Sequence, residues 1–61
     1  MVTLEMTEDE ARHLKASLES ALNELRREIS RTEHREFREL LRERERALTL
    51  VADRIPAPAA V

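Results

Sequence analysis

The sequence has no cysteine, no glycine, no tryptophan and no tyrosine. Each absence removes a class of reading. Without cysteine there is neither a disulfide scaffold nor a thiolate metal site. Without glycine, a phosphate-cradling loop or a strained nucleophile turn has no residue to shape it. Proline stands only at Pro56 and Pro58, so the turn chemistry that joins short strands is missing from the body of the chain. Phe37 is the single aromatic residue, which leaves no row of rings to stack on bases. No apolar run approaches the length needed to cross a bilayer, and the first residues do not read as a basic segment followed by an apolar one. A cytoplasmic location without membrane contact is the expectation.

What is present favours helix. Of 61 residues, 39% are charged, yet the formal net charge is only −2. Near-cancelling charges and regularly spaced apolar residues argue against a disordered chain. Ala, Leu, Glu and Arg dominate, and these are the strongest helix formers. A chain of this length makes at most one small domain, whose core is marginal without a metal, a disulfide or a partner. Self-association is therefore the expected source of further stability.

Residues 1–7 form a lead-in, in which Val2, Leu4 and Met6 alternate with polar residues. Thr7-Glu8-Asp9-Glu10 reads as a capping box. The Thr7 hydroxyl can accept from the Glu10 amide, the Glu10 carboxylate can reach back to the Thr7 amide, and three acids suit the positive end of the helix dipole. A first helix is predicted over residues 8–30. Its apolar stripe is Ala11, Leu14, Leu18, Leu22, Leu25 and Ile29, spaced by 3 or 4.

Residues 30–36 contain no apolar side chain. A turn is predicted over residues 31–34, with Thr32 as cap of a second helix over residues 35–55. That helix carries Phe37, Leu41, Leu48, Val51 and Ile55, with Leu40, Ala47 and Leu50 beside them. Positions 37, 41, 44, 48, 51 and 55 make a heptad seam, one of which is Arg44. Pro56 ends the helix and pushes Ile55 out of helical geometry. A mobile Pro/Ala tail is expected over residues 56–61. The fold predicted is all-α, an antiparallel two-helix hairpin that dimerises into a four-helix bundle. The alternative is one long helix in a coiled coil.

Candidate chemistry is sparse. Glu10 and His13 have a Glu-x-x-His spacing, but a di-iron site also needs a glutamate from another helix in the bundle core, and the stripe has none. Glu33 and His34 are adjacent and diverge on a helix. Ser17, Ser20 and Ser30 have no base nearby in the pattern. Neither catalysis nor a metal or other cofactor is expected. Arg27, Arg31, Arg35, Arg38, Arg42 and Arg46 would make a basic ridge on continuous helix, able to meet nucleic acid or an acidic partner. However, Glu24, Glu28, Glu36, Glu39, Glu43 and Glu45 interleave with it, and pairs such as Arg35–Glu39, Glu39–Arg42 and Glu43–Arg46 have intrahelical spacing. Arg44 has two readings. It either fixes partner choice through Glu19 or Glu24, or lays its aliphatic stem on the seam with its head in water.

The stretch Leu25-Arg26-Arg27-Glu28-Ile29, then Thr32, Arg35-Glu36-Phe37-Arg38, Leu41, Arg44-Glu45 and Leu48 resembles short, uncharacterised bacterial helical-hairpin proteins. The resemblance covers residues 22–50 and implies a dimerising hairpin with no assigned activity. Ten arginines against one lysine also fit a bacterial chain from a GC-rich genome. The function expected is non-catalytic association, with itself or with a larger helical protein. It would run through Leu14, Leu18, Leu22, Leu25, Ile29, Phe37, Leu41, Leu48 and Val51.

Overall fold

The computed structural model describes residues 1–56. It contains two helices, α1 over Glu8–Arg31 and α2 over Arg35–Arg54. They pack against each other as an antiparallel hairpin, and no strand occurs among the described residues. One continuous helix is thereby excluded. The expected mobile tail lies, from residue 57 on, outside the described residues.

α1 starts where the capping box places it. The Thr7 amide donates to a Glu10 carboxylate oxygen at 2.9 Å, and the Glu10 amide donates to the Thr7 hydroxyl at 3.1 Å. Two amides that helix geometry leaves without partners are satisfied reciprocally. The donated Thr7 amide bond, then the Thr7 hydroxyl contact, holds the Glu10 carboxyl below its ordinary pKa.

The turn is made without glycine and without any positive-φ residue among those described. Thr32 and His34 are both extended, at φ −83°, ψ 121° and φ −74°, ψ 115°. Thr32 does not cap the second helix as expected; it closes the first. Its hydroxyl donates back to the Glu28 carbonyl at 2.6 Å, and its amide reaches the Ile29 carbonyl at 3.3 Å. A threonine hydroxyl can donate four residues back as readily as it can accept from a following amide, and here the backward bond forms. His34 takes the N-cap position of α2 with no side-chain bond. Arg38 then clamps the corner, donating through Nε and Nη2 to the Thr32 carbonyl at 3.0 and 2.6 Å.

α2 ends at Arg54, one residue short of the predicted 55, where Pro56 holds Ile55 out of helical geometry as expected. Ile55 is extended, with its amide on the Ala52 carbonyl at 3.2 Å. Its own carbonyl accepts from Lys15 Nζ at 2.8 Å, which ties the open end of the hairpin to α1.

The core is thin. Among the described residues only Leu22, Leu41, Ala52 and Ile55 are buried, and no large side chain is completely enclosed. On α2 the positions facing α1 are Leu41, Glu45, Leu48, Ala52 and Ile55, a seam rotated from the expected 37, 44, 51 series. Both series share positions 41, 48 and 55. Where the expected series has Arg44 and Val51, this seam has Glu45 and Ala52, and the small Ala52 lets the two helices approach.

Candidate interaction surface

The two flanks of the hairpin differ sharply. Successive helical residues turn by about 100°, so each helix presents one flank to either side of the plane containing both axes. One side is polar. Arg26 Nε meets a Glu45 carboxylate oxygen at 2.9 Å across the helices. A shallow groove beside that pair is lined by Lys15, Glu19, Asn23, Arg26, Thr49 and Asp53 together with the apolar Leu22 and Ala52. Its mixed charges select no single ligand chemistry.

The opposite side is apolar. α1 contributes Leu14, Ala21 and Leu25. α2 contributes Phe37, Leu40, Ala47 and Val51, with Arg44 in the middle of the row. Phe37 and Leu40 are 45% exposed and Val51 is 43% exposed. Leu14, Leu18, Leu25, Ile29 and Leu48 are half-buried. Of the nine residues expected to carry association, the hairpin itself encloses Leu22 and Leu41, half-covers these five, and leaves Phe37 and Val51 open. Leu50 is exposed further round α2, and Met1, Val2 and Leu4 are exposed in the lead-in.

Arg44 is exposed and sits on this apolar side, off the α1-facing seam. It makes no ion pair with Glu19 or Glu24. Glu19 lines the polar groove on the other side, and Glu24 pairs with Arg27 at 2.9 Å within α1.

The arginine ridge does not survive the turn. It requires continuous helix, and the break at Thr32–His34 divides it. Arg27 is paired to Glu24, Arg31 to Glu28 at 3.2 Å and Arg35 to Glu39 at 3.7 Å, while Arg38 holds the corner. Glu39–Arg42 and Glu43–Arg46, also expected, are not among the ion pairs of the described residues. At the head of α1, Asp9 takes both Arg12 and His13. Glu10 is committed to the cap, so the Glu10–His13 pair is not assembled as a ligand set. The described residues hold no group of three metal-ligating side chains. No helix among them is long and apolar enough to cross a membrane.

Comparison with known protein families, curated proteins and solved structures finds no match.

Proposed function

We propose that the protein is a non-catalytic association module whose apolar side takes up another helical surface. That surface belongs either to a second copy or to a larger helical protein in the cytoplasm. The observation that carries this reading is the row Phe37, Leu40 and Val51. These apolar side chains stand exposed beside the half-buried Leu14 and Leu25 on one side of a hairpin whose other side is polar. A lone two-helix hairpin has a second apolar flank to cover, and helix bundles cover it by adding helices.

The test is the double substitution Phe37→Glu with Val51→Glu. Neither residue belongs to the Leu22–Leu41–Ala52–Ile55 core, so the change addresses the outer face alone. By light scattering on a sizing column, the variant should run at the mass of one chain where the parent associates. A variant that keeps the parent's mass overturns the reading.

A further inference from the structure

We infer that the apolar side is shaped for one amphipathic helix of another protein, seated lengthwise in the groove between α1 and α2 and bringing a carboxylate to Arg44. The inference rests on the association reading above and specifies its partner.

The angular spread of the apolar row argues for a single helix. A helix nested against two packed neighbours lies about 60° from the line that joins them, whereas each helix of a second hairpin stacked face to face stands at about 90°. Leu22 and Leu41, the most enclosed leucines, mark where each helix faces the other. With residues stepping by about 100°, Leu18, Leu25, Leu14 and Ala21 of α1 then stand about 40°, 60°, 80° and 100° round towards the apolar side. On α2, Phe37, Arg44, Val51 and Leu40 take the same angles in turn. A contact about 100° wide and centred at about 60° meets no charge but Arg44. Centred at about 90°, it also meets Glu10, Glu28, Glu36 and Arg54, which stand at about 120° to 140°. A second copy therefore covers the row with charged residues drawn in at its rim, and a single helix covers it without them.

Length and charge describe the occupant. The Lys15–Ile55 and Arg26–Glu45 bonds set the register of the two helices. In that register the row runs from Leu14 at the open end to Phe37 at the turn, about 30 Å, the rise of about 20 helical residues. A partner helix of that length fills it with apolar residues along one face, as helices seated in hydrophobic grooves do. Arg44 stands within the row, exposed, about two turns from Phe37. It makes no ion pair among the described residues. Under a purely apolar helix its charge would lose water and gain no partner, a loss that a carboxylate on the occupant offsets.

The test uses a labelled synthetic peptide of about three heptads, with leucine at the a and d positions except for Glu at the central d, and a twin with Lys there. Both are kept below the concentration at which they self-associate. Fluorescence anisotropy should show one peptide bound per chain, tighter by about tenfold or more for Glu than for Lys. Light scattering should show any self-paired chain giving way to that complex. Arg44 lies outside the core, so Arg44→Glu leaves the hairpin folded and should reverse the preference. Phe37→Glu with Val51→Glu should abolish binding of both peptides. If the parent self-associates, that double variant does not, and neither peptide binds, the single-helix partner is overturned and the association reading stands. Equal affinity for the two peptides overturns the role given to Arg44. Neither self-association nor peptide binding overturns both readings.

Discussion

Thr7 and Glu10 exchange two bonds at the head of α1, and the exchange has a pH signature. The Glu10 carboxyl is held below its ordinary range by the Thr7 amide. A carboxylate depressed in the folded state adds stability that is full above its unfolded pKa and is lost as pH falls through the folded one. Melting temperature should therefore drop on acidification below about pH 4.5, and Glu10→Gln should remove Glu10's share of that slope. Thr7→Ala should lower stability by about 1 kcal/mol at neutral pH, measured by urea unfolding. Lys15 is a second case. Its ammonium group bonds the Ile55 carbonyl just past α2 across 40 positions of sequence, a contact no local pattern announces. Lys15→Met should speed hydrogen exchange in the last turn of α2 while leaving the amides around the turn unchanged.

At the level of the helices, the ends were legible and the contacts were only partly so. The capping box and Pro56 are local signals, and both act where they stand. Thr32 was ambiguous because the same hydroxyl can serve the helix before it or the one after. The face of α2 was ambiguous for a different reason. Two overlapping heptads run through it, and a single helix carries no information about which seam its neighbour takes. The contact with α1 decides, and it chooses the series containing Ala52, whose small side chain a search for large apolar residues passes over. The same choice turns Phe37, Arg44 and Val51 outward. Leu22 and Leu41 are the most enclosed leucines, at 5% and 3% exposure, and each anchors one helix. Leu41→Ala should cost about 2–5 kcal/mol, a large share of what so small a domain can hold. Leu22→Asp should remove helical circular dichroism from both helices together. A variant that loses only one helix would contradict their mutual dependence.

For the molecule as a whole, the decisive feature is an imbalance between a thin core and a broad apolar flank. Four buried residues among those described do little against the entropy of ordering some 45. Under the proposed association, covering the flank would bring Phe37, Leu40 and Val51 into a core, as helix bundles do when helices are added at crossing angles near 20°. Composition alone pointed to this need. Which flank answers it became visible only once the turn at Thr32–His34 and the seam on α2 were fixed.

The most direct test is the melting temperature at protein concentrations a hundredfold apart. If folding and pairing are one event, the midpoint rises with concentration, by several degrees for a chain of this size. A cooperative melt of a fully helical chain whose midpoint does not move would show that one hairpin is complete by itself, and would contradict the account.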